Sequence, residues 1–418
     1  MLCTTFRRVS MNYILKMSLR NLGRNKRRSV LSAFAISVGT ALLLFMSATI
    51  RGEMRGSLDL TINLRTGHLQ IHAEDYKDEN MSLKRQDMIE APLEISNQID
   101  DIPQVKAASP RLNISGIIAY KNETVGVQVL GIDPPSVANA MYKEGLVFGE
   151  FLTPDDREGV LIGLPLAESL NLYPGDSIDL ILNTSEGDTD EQRFTIRGVY
   201  TTNTPGYDKA TILMPLEKAQ TISRTENFAS MIYILLHEMD DTAAVKAAIN
   251  APGYIVEDWE ELNKLIIIVE QLSNAMMFFF NLMVLGVTST VIMNTLLMAV
   301  YERTREIGIL GALGLKGRQI RSLFLIEATL LAIGGVIIGL AIGVPLVLYF
   351  SQTGFFIGDV GISANSGFMF GTAIYPYPTI GDVISVSIAA LLITILSGYY
   401  PASQASKLEP VEALHTNN

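Results

Sequence analysis

Four long apolar segments limit what this chain of 418 residues can fold into. A helix of about 20 apolar residues is enough to cross the roughly 30 Å hydrocarbon core of a bilayer. The first candidate, Ser29 to Ile50, contains no charged residue. Three further spans are predicted at residues 265–300, 322–350 and 380–400. Because charged Arg51 follows the first segment, where a signal peptide would have small residues for cleavage, we interpret this segment as a retained anchor.

The charges are unevenly distributed along the chain. Residues 1–50 hold eight Lys or Arg and no acid, whereas residues 51–264 hold 18 Lys or Arg against 35 Asp or Glu. Five basic residues lie in segment 301–321 and none in segment 351–379. Cytoplasmic loops of membrane proteins are enriched in Lys and Arg. We therefore expect both termini and segment 301–321 in the cytoplasm, an outer loop at 351–379, and a cytoplasmic tail at 401–418.

Residues 1–28 are predicted to form an amphipathic helix before the first span. One face carries leucines and another carries basic residues, namely Leu15, Leu19 and Leu22 against Lys16, Arg20 and Arg24. Such a helix lies on an anionic membrane surface and contacts its lipids. An ordinary solvated basic helix and a nucleic-acid contact are the alternatives. The adjoining membrane span disfavours both, so no nucleic-acid partner is expected.

The region 51–264 alternates short strand-like and helix-like stretches and has no run long enough to span a membrane. Strands are predicted at 67–72, 124–132, 177–182 and 194–200, and helices at 93–100, 164–170 and 215–222. No catalytic site is evident in it. The predicted fold is therefore an α-helical membrane protein with four transmembrane helices and a large mixed α+β extracytoplasmic domain between helices 1 and 2.

The second span belongs to a long helical pattern that starts near Trp259. A single helix from about residue 260 to 300 would be roughly 60 Å long at 1.5 Å per residue, about twice what a membrane needs. We expect the excess to project outward as a stalk. Residues that follow the first span, Met54, Leu58 and Ile62, are candidates for its partner.

Small and polar residues recur at helical spacing in the second and third spans. The second span has a polar residue every seven positions, at Asn281, Thr288 and Thr295. These residues form a candidate contact between helices, and the alternative is that the hydroxyls bond their own backbone carbonyls. The third span has Gly335, Gly339 and Gly343 at four-residue spacing, a pattern that allows helices to pack closely and is a candidate dimer contact.

Glu327 is an ionisable residue inside the third span. An acid within a membrane span is a candidate functional residue. At this depth Glu327 is alternatively expected to reach the interface or to pair with Arg318 or Arg321.

The sequence lacks the motifs of a nucleotide-binding or metal-dependent enzyme. No Gly-x-x-x-x-Gly-Lys-Ser/Thr loop occurs, so nothing is expected to hold nucleotide phosphates in that manner. His68 and His72 are four residues apart without the glutamate of a zinc-protease motif, and surface histidines are the simpler interpretation. The single cysteine, Cys3, excludes an intramolecular disulfide. We expect no enzymatic activity, no bound metal and no cofactor in this chain.

The segment 301–321, which we call the elbow, carries the strongest resemblance to a known family. Its sequence YERTREIGILGALGLKGRQI resembles the cytoplasmic loop of FtsX-like, MacB-type ABC transporter permeases. The stretches LRNLGRNKRRSVLS, LIEATLLAIGGVIIG and PASQASKLEPVEAL are similar to the same family. The GHLQIH start of the central region resembles the lipoprotein-releasing, LolC/LolE-like branch. The resemblance covers essentially the whole chain.

This resemblance implies a subunit of a larger machine in the bacterial inner membrane. Two copies of an ATPase subunit, which bind ATP and Mg²⁺, would contact the elbow, and a second permease chain would complete a homodimer or heterodimer. Carried over by position, the ATPase-coupling residues are Glu302, Arg303, Arg305, Glu306, Gly308, Leu310, Leu313 and Gly314. Ile307, Leu310 and Leu313 would supply an apolar face. The alternative is a solvated basic loop that only fixes topology.

The resemblance also implies what the machine does. The expected function is coupling of ATP hydrolysis to extraction of lipoproteins or other amphipathic substrates from the outer face of the membrane. Alternatives are export of peptides or macrolides with a periplasmic adaptor, and a relay that controls a cell-wall hydrolase. A periplasmic carrier is a further expected partner for the first of these functions. An outward-facing enzyme or sensor would need clustered catalytic residues, which the sequence does not show.

Overall fold

The computed structural model describes residues 11–24, 26–77, 80–121, 123–358, 369 and 371–408. Cys3, His415, the first part of the N-terminal segment, residues 359–368 and 370 of the predicted outer loop and residues 409–418 of the predicted tail lie outside the described residues. The chain divides into two compact units. We call residues 1–52, 272–355 and 375–418 the membrane unit, and residues 53–271 and 356–374 the central domain.

The described residues form α-helices and β-strands throughout both units. The helices are α1 (Met11–Arg24), α2 (Lys26–Thr61), α3 (Pro92–Asp100), α4 (Ala140–Glu144), α5 (Leu164–Leu170), α6 (Pro205–Ala210), α7 (Leu216–Ser223), α8 (Thr242–Ala248), α9 (Trp259–Leu262), α10 (Lys264–Glu302), α11 (Thr304–Ala312), α12 (Gly317–Thr353) and α13 (Ile380–Lys407). The strands are β1 (Leu69–His72), β2 (Ile89–Glu90), β3 (Val105–Tyr120), β4 (Glu123–Ile132), β5 (Leu146–Gly149), β6 (Gly159–Gly163), β7 (Ser177–Asn183), β8 (Thr189–Tyr200), β9 (Thr211–Pro215), β10 (Phe228–Ala229), β11 (Met231–Leu236), β12 (Ile255–Asp258), β13 (Phe355–Phe356) and β14 (Ala373–Ile374).

Four helices of the described chain are long and apolar enough to cross a membrane: α2, α10, α12 and α13. Each predicted span lies inside one of them, which confirms the predicted fold class. The helices are longer than the predicted spans, because α2 already begins at Lys26 and α12 continues to Thr353. The segment assigned to an outer loop is also divided differently, since residues 356–374 belong to the central domain.

The predicted stalk helix is interrupted near its start. Asn263 leaves helical geometry at φ −113° and ψ 45°, so the short α9 ends at Leu262 and α10 begins at Lys264. The Asn263 side chain explains the break, because its Nδ2 donates to Trp259 O at 2.9 Å and to Thr66 Oγ1 at 3.2 Å. Leu58, a predicted stalk partner, packs with Ile62 and Trp259 against the hydrophobic core of the central domain.

A mixed sheet organises the central domain. Among the described residues, ten strands form one sheet in the order β12-β1-β11-β3-β4-β9-β6-β8-β5, with β7 paired to β3 and β8. The pairs β4–β9 and β6–β8 are parallel, and the others are antiparallel. Leucine, isoleucine and valine side chains of β3, β4, β6, β7 and β8 pack with α5 and α7 into one core. The four strands and three helices predicted from sequence are all present.

Glycines bring α12 into close contact with α2 inside the membrane unit. A Cβ at Gly339 would lie 2.7 Å from Ser37 O, and a Cβ at Gly335 would lie 2.6 Å from Ile36 Cβ. At Gly343 the same atom would lie 3.1 Å from Ala41 Cα. The predicted glycine stripe is therefore a contact between two helices of one chain. It buries Ile36 and Leu44 of α2.

A second, polar contact joins α2 to α13. Asp382 lies in the first turn of α13 and is almost fully buried. It accepts hydrogen bonds from Arg51 Nη2 at 2.8 Å, Ser47 Oγ at 3.1 Å and Thr379 Oγ1 at 2.6 Å. A buried carboxylate with this many donors is well compensated for its loss of water.

The Gly339→Ala variant tests the contact between α2 and α12. We expect it to lower the free energy of unfolding by about 1–3 kcal/mol, because backbone and Cβ atoms of α2 must move to admit a methyl group. Gly334→Ala is the matched control, since a Cβ there meets nothing within 4 Å. Thermal unfolding of the full chain in detergent measures both. Equal midpoints for the two variants would contradict this packing.

Candidate coupling site

The elbow contains the short helix α11, and both ends of this helix are well defined. α10 ends at Glu302, Arg303 leaves helical geometry, and α11 begins at Thr304. α11 ends in a Schellman motif, in which Leu315 N donates to Leu310 O at 3.1 Å and Gly314 N donates to Gly311 O at 2.9 Å. Gly314 has φ +93°, a conformation that glycine adopts without strain. Gly314 thus fixes where α11 ends and where the chain turns towards α12.

Arg303 and Glu327 form a buried ion pair inside the membrane unit. Arg303 is 4% exposed and Glu327 is 1% exposed, and Arg303 Nη1 lies 3.6 Å from Glu327 Oε2. Arg303 Nη2 also donates to Asn21 O of α1 at 3.2 Å. One guanidinium therefore connects the end of α10 to both α1 and α12.

The partner of Glu327 differs from the sequence-based expectation. Arg318 is exposed, and Arg321 donates through Nη1 to Tyr399 OH at 3.3 Å. Arg303, which the sequence-based expectation did not include, lies within ion-pair distance of Glu327, and its backbone leaves helical geometry directly after α10. The burial of Arg303 and Gly308 removes both from the surface that a partner protein can touch.

Two further contacts hold α11 against the other helices of the membrane unit. Glu306 forms an ion pair with Arg24 at the end of α1, and both side chains are about half exposed. Ile307 is buried in a cluster with Val300, Ile320 and Phe324. Ile307 therefore packs inward, instead of belonging to the apolar face predicted for a partner.

One exposed stripe of the elbow follows α11 and ends at Leu313, the residue directly after this helix. Arg305, Ile309 and Leu313 are exposed and follow one another at four-residue spacing, which places them on one helical face. Leu313 is 72% exposed and Tyr301 is 73% exposed. Glu302 is also exposed, and Leu310 is half-buried. The sequence interpretation missed Ile309 and Tyr301, although the spacing from Arg305 to Leu313 would have indicated Ile309.

The polar residues of α10 serve two purposes. Thr288 Oγ1 donates to Val284 O at 2.9 Å and Thr295 Oγ1 donates to Val291 O at 2.7 Å, so both hydroxyls bond their own helix. Thr288 also packs on Gly39 of α2, where a Cβ would lie 2.8 Å from its hydroxyl oxygen. Asn281 is half-buried.

Two histidines of the central domain, His68 and His72, have structural partners. His72 Nε2 lies 2.8 Å from Glu257 Oε2, and His68 Nδ1 accepts from Leu236 N at 3.2 Å. Burial lowers the pKa of His68, which favours the neutral form that accepts this bond. Within the described ranges, no group of three or more His, Cys, Asp or Glu is arranged to hold a metal ion.

Comparison with known proteins identifies two family regions. Residues 29–251 match the model of the MacB-like periplasmic core domain, and residues 278–410 match that of the FtsX-like permease C-terminal region. The elbow lies inside the second region.

Three relatives illustrate the similarity. The chain is 24% identical to the lipoprotein-releasing system transmembrane protein LolE of Haemophilus influenzae, covering 92% of this chain and 94% of that protein. It is 25% identical to LolC of Neisseria meningitidis serogroup B, covering 74% and 78%. It is also 25% identical to the macrolide export ATP-binding/permease protein MacB of Bdellovibrio bacteriovorus, covering 96% of this chain but only 61% of that protein.

The buried ion pair can be tested with single and double variants. We expect Glu327→Leu alone to lower the free energy of unfolding by about 3–5 kcal/mol, because it leaves the Arg303 guanidinium buried without its carboxylate. The double variant Arg303→Met/Glu327→Leu should be more stable than the single variant, since it removes both charges. Chemical unfolding of the detergent-solubilised chain measures the difference. Arg303→Met is the second single variant, and Arg318→Met, at an exposed position, is the control. Purely additive effects of Arg303→Met and Glu327→Leu would contradict the pairing.

Proposed function

We propose a mechanical coupling function for this chain, which belongs to the FtsX-like permeases with a MacB-like periplasmic core domain. It is an ABC transporter permease of the LolC, LolE and MacB type. In the proposed mechanism, an ATPase subunit binds the elbow, and its movement on ATP binding and hydrolysis is passed through the long helices to the central domain.

The observation that carries the proposal is the two-sided character of α11. Its outer face presents Arg305, Ile309 and Leu313 to solvent, and its inner face is held by Arg303 and Ile307. A short helix with exposed apolar residues and a charge is suited to a groove on another protein. Because the inner face is fixed to α1 and α12, a force applied to the outer face would move these helices together.

This arrangement divides the predicted ATPase-coupling residues by role. We assign direct contact to Glu302, Arg305 and Leu313, together with Tyr301 and Ile309. The other predicted residues position α11 or determine its ends, namely Arg303, Glu306, Gly308, Leu310 and Gly314. In this proposal, ATP and Mg²⁺ are bound by two copies of a partner ATPase subunit, and this sequence holds no phosphate-binding loop of the Walker type.

Helix α10 has two roles in this proposal. It transmits movement from the elbow to the central domain, and it contacts a second permease chain. Its 39 residues correspond to about 58 Å, so part of the helix extends beyond a hydrocarbon core of about 30 Å. Large apolar side chains are exposed along it, including Leu265, Leu272 and Phe279. Lipid would cover those within the membrane. A second permease chain, identical or homologous, would cover the remainder.

The proposed substrate is a lipoprotein or another amphipathic molecule at the outer face of the bacterial inner membrane. Similarity to LolE along 92% of this chain supports this choice. Export of peptides or macrolides with an adaptor is the alternative supported by the similarity to MacB. A relay to a cell-wall hydrolase would use the same elbow. The distribution of basic residues supports cytoplasmic termini and an outer location for the central domain.

Charge reversal in the exposed stripe tests the ATPase contact. We expect Arg305→Glu and Leu313→Ala each to weaken binding of the ATPase subunit by about tenfold or more, as for central residues of an interface. Arg318→Glu is the matched control, because Arg318 is exposed in the elbow but lies outside the stripe. Binding is measured with the purified permease and its ATPase subunit. Equal affinities for Arg305→Glu, Arg318→Glu and the wild type would contradict the assigned contact.

Accessibility to a membrane-impermeant thiol reagent tests the proposed orientation. Ser177 of the central domain and Ala312 of the elbow are both exposed, so each can carry a single cysteine in a Cys3→Ser background. We expect Ser177→Cys to react in intact spheroplasts and Ala312→Cys to react only after the membrane is opened. The opposite pattern would overturn the topology.

A further inference from the structure

The first membrane helix ends inside the central domain in an unusual wide turn. After α2, residues Ile62–Thr66 form a π-helical turn that ends at Gly67 with φ +72°. Gly67 N donates to Ile62 O at 2.9 Å. The last carbonyls of a helix have no donor in the helix itself and need donors from elsewhere. Isolated π-helical turns are frequent at functional sites.

Three buried side chains supply those donors, and we call Arg111, Tyr142 and Tyr233 the helix clamp. Tyr233 OH donates to Ile62 O at 2.7 Å and lies 2.9 Å from Asn63 O. Arg111 Nη1 donates to Leu64 O at 2.8 Å, and Tyr142 OH lies 3.4 Å from the same oxygen. Burial raises the pKa of Tyr142 and Tyr233, so both hydroxyls stay protonated.

Burial of the Arg111 side chain costs free energy of folding, because its guanidinium is charged. Arg111 is 1% exposed, and its Cζ lies 3.5 Å from the centre of the Tyr233 ring. None of the ion pairs found among the described residues involves Arg111, and its Nε and Nη2 have no hydrogen-bond partner there. A buried cation without a carboxylate is generally less stabilising than an apolar side chain of similar size. What compensates Arg111 is the ring face and the negative end of the α2 helix.

Other segments that lead towards membrane helices meet at the same turn. Asn263, directly before α10, donates to Thr66 Oγ1 at 3.2 Å. Met369, in the connection between α12 and α13, is buried in one cluster with Leu64, Tyr142 and Tyr207. Tyr142 OH and Tyr207 OH are 2.6 Å apart. The clamp therefore lies where three connecting segments of the central domain converge.

We propose that the helix clamp is the point at which movement of the membrane helices is transferred to the central domain, with Arg111 as the positioning residue that fixes the end of α2. This inference rests on the proposed coupling function. It assigns a role to residues that lie far from the elbow in the sequence.

The first arm of the test asks whether the clamp holds the end of α2, and it needs no ATPase. Hydrogen–deuterium exchange is measured on the full chain for peptides that cover residues 60–68. We expect Arg111→Met and Tyr233→Phe to raise the exchange rate there by about tenfold or more, because local opening follows the loss of a buried hydrogen bond. Tyr200→Phe is the matched control, since its buried hydroxyl donates to Thr211 O at 2.9 Å instead of to α2. Unchanged exchange in both clamp variants would overturn the inference.

The second arm asks whether the clamp transfers movement. The permease is purified with its ATPase subunit, and exchange across the central domain is compared with and without ATP. We expect Tyr233→Phe to keep ATP hydrolysis within about twofold of the wild type while losing most of the ATP-dependent change in the central domain. If the clamp only stabilises the fold, the ATP-dependent change in exchange of the central domain should persist in Tyr233→Phe. That outcome would overturn the proposal that the clamp transfers movement. A wild-type complex without any ATP response would instead overturn the proposed function, and the first arm would still show whether Arg111 and Tyr233 hold α2.

Discussion

A buried guanidinium and carboxylate must compensate each other, and this requirement determines how the elbow is attached. Arg303 can leave water only because Glu327 and Asn21 O receive its charge and its hydrogen bond. Those two partners belong to α12 and α1, so pairing brings three helices together at one residue. Glu306 and Ile307 extend the same attachment along α11. The outer stripe of α11 is consequently attached to a fixed support, as the proposed contact with an ATPase subunit requires.

Close packing and helix length explain how movement of the elbow could reach the central domain. The glycines of α12 bring its backbone against α2, so these helices cannot easily slide past each other. α2 itself continues to Thr61 and then enters the helix clamp, while α10 starts directly after Asn263 at the same turn. Polar contacts thus lie next to both ends of α10 and at the C-terminal end of α2, and close packing joins α2 to α12. Polar contacts are directional and fix geometry, whereas apolar contacts supply most of the burial.

Sequence periodicity predicted the four long helices and four of the ten strands of the large sheet, but it predicted the polar partners poorly. Apolar runs of membrane length gave the four spans, and the glycine stripe was recognisable because its spacing matches a helical face. Six strands of the sheet were not predicted, and β3 is the longest of them. Pro110, Asn113 and Gly116 interrupt its sequence, and eight consecutive residues, 107–114, are buried, which removes the alternating pattern. The inward position of Arg303 depends on a helix break that no charge count indicates. Arg111, Tyr142 and Tyr233 are joined only by the fold, since each comes from a different element.

In the proposed mechanism the elbow moves as one body with α1 and the start of α12. The distance between spin labels at Leu19 and Ala312 tests this, because both positions are exposed, on α1 and α11, and neither is assigned to the ATPase contact. In the complex with the ATPase subunit, we expect this distance within one chain to stay the same when ATP binds, while the distance between the Ala312 labels of two permease chains changes. A change in the Leu19–Ala312 distance on ATP binding would contradict the mechanism, because the elbow would then move independently of α1.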